Sequence, residues 1–134
     1  MSVVRFGVSL EKELLEELDY FVEDNSLSNR SQGIRRLISN YLVEKKWQCN
    51  NLVAGSISLI FYHHRPGLLR KIKDIEHEYH EVILSSQHFC IEKDLSFEIL
   101  AVRGKARILT ELADKLRSLK GISHGKLAMT TTGW

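Results

Sequence analysis

The sequence predicts an α+β chain: a β-α-α unit that is complete only as a dimer, followed by a βαββαβ unit. Three observations predict it. Val3 to Leu10 alternates between apolar and polar residues, and two helical stripes follow within the first fifty residues. From Ala54 onward, strand-like and helix-like patterns succeed one another as strand, helix, strand, strand, helix, strand.

In the first unit, Val4, Phe6, Val8 and Leu10 point one way, while Val3, Arg5, Gly7 and Ser9 point the other. A period of two is that of a strand with one apolar face. Ser9 stands where a helix N-cap belongs, with Glu11 and Glu13 in the first turn, where carboxylates meet the positive end of the helix dipole. Leu14, Leu15, Leu18, Phe21 and Val22 recur at helical spacing. Asp24-Asn25-Ser26 makes a turn, Ser28 or Asn29 caps a second helix, and Ile34, Leu37, Ile38, Tyr41 and Leu42 form its stripe. One strand and two helices bury too little surface alone, and a lone strand leaves both its edges unpaired. Two copies resolve both problems. Their strands pair into an antiparallel ribbon over four helices, a ribbon-helix-helix arrangement spanning residues 1–47.

Lys45 to Leu52 reads as a linker or a helix end. The second unit, residues 52–134, opens with a strand over Ala54–Tyr62. Pro66 suits the start of a helix carrying Leu68, Leu69, Ile72, Ile75 and Tyr79. Val82–Ile91 and Leu95–Val102 are strands joined through Glu92-Lys93-Asp94. Gly104 leads into a helix with Ile108, Leu109, Leu112, Leu116 and Leu119; Gly121 is its expected C-cap, and Ile122–Met129 is the last strand. This order is that of a ferredoxin-like split unit.

The composition is that of a globular protein, with 43% hydrophobic and 27% charged residues among 134. Apolar runs such as Ile57–Tyr62 are too short for a bilayer, and the first residues lack a signal-peptide core, so a cytoplasmic protein without a membrane partner is expected. Cys49 and Cys90 are too few and too far apart for a disulfide framework; each suits a free thiol or a metal ligand. The net charge is only +2, so a nucleic-acid contact would need a local cluster of cations. No nucleophile motif points to an enzyme.

A two-stranded ribbon fits the major groove, where base edges distinguish all four pairs. Arg5, Gly7 and Ser9 project together from the strand's polar face. Arg5 can bond guanine O6 and N7, Ser9 is a short donor and acceptor, and Gly7 either permits close approach or contributes nothing. Asn29, Arg30 and Ser31 open the second helix, whose free N–H groups favour a phosphate. The plainer alternative is a solvated strand face. The strand, turn and capped helix taken together favour double-stranded DNA.

Six histidines provide the metal candidates. His88 and Cys90, two apart on a strand, share a face with Ser86; His77 and His80 lie three apart near a helix end. Imidazole and thiolate suit nickel, copper, cobalt or zinc. The helices of such a unit cover one sheet face, and an open opposite face is where donors from two chains would converge. Against this, His-x-Cys is a short motif, Cys90 is also suited to burial, and His63-His64 can simply end a strand.

The chain resembles the NikR family of nickel-responsive regulators over nearly its full length. The resemblance rests on Arg5-Phe6-Gly7-Val8-Ser9-Leu10, Leu14-Leu15, Ser28 through Arg35, the span from Ile72 to Gly104, and Gly121 through Leu127. It implies a homotetramer, with two ribbon-helix-helix dimers flanking a core of ACT-like domains, that binds operator DNA and represses nickel-uptake genes. It also implies an intersubunit nickel site with two histidines and a cysteine from one chain and a histidine from another. His77 matches the cross-subunit histidine and His88 the first strand histidine. Cys90 stands where the second histidine belongs, and Ser96 where the cysteine belongs. His77, His88 and Cys90, with His80 or water fourth, would form a site nearer tetrahedral than planar, suited to zinc, cobalt or copper as well as nickel. Gln32 and Arg36 replace the acidic residues of the family's second cation site. The altered ligands also motivate an alternative, a regulator whose ACT-like domain binds a small metabolite.

Overall fold

The computed structural model describes residues 2–131. The chain forms two compact units, Met1–Tyr41 and Leu42–Trp134.

In the first unit, α1 spans Lys12–Asp24, and α2 starts at Arg30 on a path that ends at Gln48. The expected N-terminal strand is not formed in the single chain: residues 2–11 carry no secondary structure. The reason is physical. A strand is held by bonds to a neighbouring strand, and among the described residues of the single chain none pairs with this segment. Val4, Phe6, Val8 and Leu10 are accordingly exposed. The N-cap of α1 is Glu11, without a side-chain bond, and not Ser9. Asn29 does cap α2, its Oδ1 accepting the Gln32 N–H at 2.9 Å. The two helices approach closely at Gly33, where a Cβ would fall 2.6 Å from Val22 Cγ2. Leu18 is buried, but Leu14, Leu37, Ile38 and Tyr41 remain exposed. That leaves an apolar face without a partner inside the chain.

In the second unit, β1 (Leu52–Tyr62), α3 (Leu68–Glu78), β2 (Ile83–Cys90), β3 (Leu95–Lys105), α4 (Ala106–Arg117) and β4 (Ile122–Thr130) follow in the expected order. The sheet runs β2-β3-β1-β4 with every neighbouring pair antiparallel. Its inner face carries Val53, Ile57, Leu59 and Phe61 from β1 and Leu100 and Val102 from β3. These pack on Leu68 and Ile72 of α3 and on Leu109, Leu112 and Leu116 of α4.

Of the two readings of Lys45 to Leu52, the helix end holds: α2 runs through to Gln48. Trp47 is buried in the second unit's core, and its indole N–H donates to the Thr130 carbonyl at 2.9 Å. α4 begins after Gly104, at Ala106. The Ala106 N–H bonds the Asn51 carbonyl and the Arg107 N–H bonds Asn50 Oδ1, so two of its orphan donors are satisfied. The helix ends at Arg117, and its C-cap is Ser118 rather than Gly121. Gly121 instead occupies the following turn at φ +103°, a conformation that favours glycine.

Candidate metal centre and DNA-contact segment

β2 is an edge strand, and its register decides where the candidate ligands point. His88 stands opposite Glu98 and Cys90 opposite Ser96; in turn Glu98 faces Leu59 and Ser96 faces Phe61 on β1. Ser96, Glu98, Leu59 and Phe61 are all fully buried beneath the helices. Ser86, His88 and Cys90 therefore lie on the helix-covered side and not on the open face, which corrects the sequence expectation. They remain exposed because β2 is at the rim of the sheet, beyond the reach of α4. The open face carries Phe89, Phe97, Ile99 and Ile60 instead, with the Phe89 and Phe97 rings 6.4 Å apart.

Ser96 organises the histidines. Its hydroxyl lies 2.9 Å from His88 Nε2 and 2.9 Å from His63 Nδ1. The His88 ring also meets the Phe61 ring edge-on, at 5.9 Å between centroids. His88 is thus oriented through one ring nitrogen, which leaves Nδ1 for an ion; such outer bonds commonly hold metal-ligating histidines.

His77 and His80 sit apart from this pair, at the end of α3 and in the 3-10 turn His80–Val82. Their rings stack at 5.8 Å, and His80 Nδ1 lies 3.0 Å from the His77 carbonyl oxygen. Among the described residues, no cluster of three ligand-bearing side chains contains His77, His80, His88 or Cys90. The donors of one chain thus fit part of a metal site: an imidazole and a thiol on one edge strand, needing donors from elsewhere. Three other side chains do come together, His63, His64 and Asp94, with ligand atoms all within 4.8 Å of one another. The sequence gives no sign of this group, because it depends on the end of β1 meeting the start of β3.

Beneath His88 lies a buried charge cluster. Glu98 accepts bonds from Ser86 Oγ at 3.0 Å and Lys73 Nζ at 3.2 Å, and Lys73 is 3.6 Å from Glu76. One oxygen each of Glu76 and Glu98 is buried without a partner. Burial, and then the charge of Glu98, push the Glu76 carboxyl up to about 7 against the opposing pull of Lys73. Burial acts to lower Lys73, but its bond to Glu98 and the two carboxylate charges together raise it.

In the first unit, Arg5, Gly7 and Ser9 are exposed, as a contact surface requires. Asn29 spends its side-chain oxygen on the cap of α2. Arg30 forms a two-pronged pair with Asp19, Nε–Oδ1 at 2.9 Å and Nη2–Oδ2 at 3.0 Å. That bond holds Asp19 below the usual carboxylate range and raises Arg30.

Comparison with known proteins decides the family. Residues 54–130 match the NikR C-terminal nickel-binding domain, and residues 4–45 match ribbon-helix-helix proteins of the copG family. The chain belongs to the NikR family. A protein of Syntrophus aciditrophicus named as a nickel-responsive regulator is 43% identical over 132 residues, 98% of this chain and 96% of its own. One of Pyrococcus furiosus, named likewise, is 43% identical over 134 residues, 99% of this chain and 97% of its own. Solved structures agree on the fold of the second unit. An uncharacterised protein from Thermotoga maritima superposes with a TM-score of 0.55 at 16% identity, covering 60% of this chain and all of its own. The ACT domain of a GTP pyrophosphokinase from Chlorobium tepidum gives 0.50 at 17%, covering 57% of this chain and 99% of its own. This NikR-family chain is therefore α+β, a ribbon-helix-helix segment followed by an ACT-like sheet, and its family is one of regulators rather than enzymes.

Proposed function

We infer that this chain is a metal-responsive, DNA-binding transcriptional regulator that works as a homotetramer and answers to nickel. The observation that carries this reading is an incompleteness. The N-terminal segment exposes alternating apolar side chains, and among the described residues His88 and Cys90 of β2 belong to no cluster of three ligand-bearing side chains. A second copy completes both.

Paired N-terminal segments would present Arg5, Gly7 and Ser9 to the major groove, with Arg5 reading guanine. Asn29, Arg30 and Ser31 would meet the phosphate backbone through the N-terminal N–H groups of α2, fixing register. The uncovered apolar sheet face, with Ile60, Phe89, Phe97 and Ile99, supports assembly of ACT-like units. Among these chains His88 and Cys90 would hold the ion, His77 of another chain would be the third donor, and His80 or water the fourth. One thiolate and two imidazoles also suit zinc, cobalt or copper.

A bound ion supplies a cross-link between chains. It shifts the protein toward the DNA-gripping arrangement only by its difference in affinity between the two arrangements. The test uses chelator-treated protein and a duplex recovered by selection from a random library. Nickel should tighten binding, read by fluorescence anisotropy, by at least about tenfold, or about 1.4 kcal/mol. Equal affinity with and without nickel, zinc, cobalt and copper would reject metal control.

A further inference from the structure

We propose that His63, His64 and Asp94 form a second metal site, one lying within a single chain and taking a borderline divalent transition ion such as zinc. Its residues are separate from His77, His88 and Cys90, so it stands or falls independently of the intersubunit reading.

The site follows from strand pairing. β1 and β3 are antiparallel with Tyr62 opposite Leu95, so the residues that leave β1 run beside those that enter β3. The His63 backbone N–H donates to the Asp94 carbonyl at 3.1 Å, which pins the two segments together. From this junction His64 Nε2 reaches to 3.0 Å from Asp94 Oδ1, and the His63 and His64 rings lie 4.2 Å apart at 60°. One donor atom from each of the three residues falls within 4.8 Å of the others. Donors on a tetrahedral ion with bonds of about 2.1 Å are about 3.4 Å apart, so closing the site needs movements of only about 1 Å. His64 and Asp94 are exposed side chains at a turn and can make them.

Orientation supports the same conclusion. His63 is half-buried, and its Nδ1 is engaged by the buried Ser96 hydroxyl at 2.9 Å, which leaves Nε2 as its ligating nitrogen. Two imidazoles and a carboxylate suit zinc, with water as the fourth ligand, and the site opens to solvent on the His64 side. A plain His64–Asp94 ion pair would require neither His63 beside it nor the serine that holds the His63 ring.

The test is zinc titration of the full chain carrying His88→Ala and Cys90→Ala, which removes the other candidate ligands on β2. This chain should still bind one zinc ion per copy. Adding His64→Ala and Asp94→Asn should weaken that binding at least tenfold, and His63→Gln should do the same. Circular dichroism should show the fold intact, since His64 and Asp94 are exposed. X-ray absorption on the zinc-loaded His88→Ala, Cys90→Ala chain should show imidazole and oxygen neighbours at about 2.0–2.1 Å and no sulfur at about 2.3 Å. Loss of all zinc binding on His88→Ala, Cys90→Ala, or affinity unmoved by His64→Ala and Asp94→Asn, would overturn the proposal. Nickel-dependent DNA binding that survives His88→Ala and Cys90→Ala would instead count against the intersubunit reading alone.

Discussion

Replacing Glu76 by glutamine should remove a pH dependence of folding stability that is built into the second unit. The Glu76 side chain is only 11% exposed and shares Lys73 with the fully buried Glu98. Its ordinary value is 4.5, and in the folded chain it titrates at about 7. Between these two values the folded protein holds a proton that the unfolded chain has released. Stability therefore falls as pH rises through this window, and the penalty is fully present above about 7. At about 1.4 kcal/mol per pH unit, the interval corresponds to an upper bound of about 3 kcal/mol. The partly exposed Lys73 and water reaching the cluster will reduce it, and about 1–3 kcal/mol is expected. Glutamine keeps the size and removes the ionisation. The assay is urea unfolding of chelator-treated wild type and Glu76→Gln at half-unit steps from pH 5 to 8, followed by circular dichroism. Glu76→Gln should gain on the wild type from pH 5 to about 7 and hold a constant lead above it. A difference constant to within about 0.5 kcal/mol from pH 5 to 8 would refute the reasoning, because no buried proton would then be released.

Three further outcomes are expected. Trp47→Ala should destabilise the second unit by about 3–5 kcal/mol, because the indole is buried against the sheet beside Gly55; Trp47→Phe should cost less, with about 1 kcal/mol for the lost bond to Thr130. Thermal and urea unfolding read both. Arg5→Ala should weaken binding to a selected duplex at least tenfold and leave weak binding to unrelated duplexes nearly unchanged, measured by competition anisotropy. Asp19→Asn should release Arg30 from its pair, strengthen binding to any duplex, and steepen the salt dependence by up to about one counterion per copy.

The order of elements was legible because periodicity survives in single segments: the α3 stripe of Leu68, Ile72 and Ile75 and the alternation in β1 are local patterns. The orientation of β2 was not. On β3, Phe97, Ile99 and Ala101 look like the inward set and Ser96 and Glu98 like the outward one, yet Ser96 and Glu98 are the buried pair. Partners from other elements reverse the local pattern: two histidines bond the Ser96 hydroxyl, and Lys73 and Ser86 bond one oxygen of Glu98. The N-terminal strand posed the opposite problem. Its alternation is plain, but residues 2–11 carry no secondary structure in the single chain, and the ribbon needs a partner strand. Asp94 lies thirty residues beyond His64 in sequence, and the three meet through the pairing of β1 with β3.

Ser96 is one of the positions, with Cys90, at which the resemblance implies a different ligand, and its surroundings say what the serine does. The hydroxyl is fully buried and lies between His88 Nε2 and His63 Nδ1, so it positions two rings. A neutral hydroxyl is a poor ligand for nickel, while a thiolate at the same point would be a strong one. Cys90→His combined with Ser96→Cys would give two histidines on β2 and a thiolate on the neighbouring strand, the set that the resemblance implies. Single Ser96→Cys is the poorer design, because Cys90 is the direct cross-strand neighbour and two thiols there invite a disulfide. The double variant should bind nickel at least tenfold more tightly than the wild type. It should also gain thiolate-to-nickel absorption with the signature of a planar site, whereas the wild type, with Cys90 alone, should show a tetrahedral pattern. An intact fold with unaltered nickel affinity and spectrum would mean that position 96 does not face the ion. Ser96 would then serve to orient the His63 ring rather than to face the intersubunit centre.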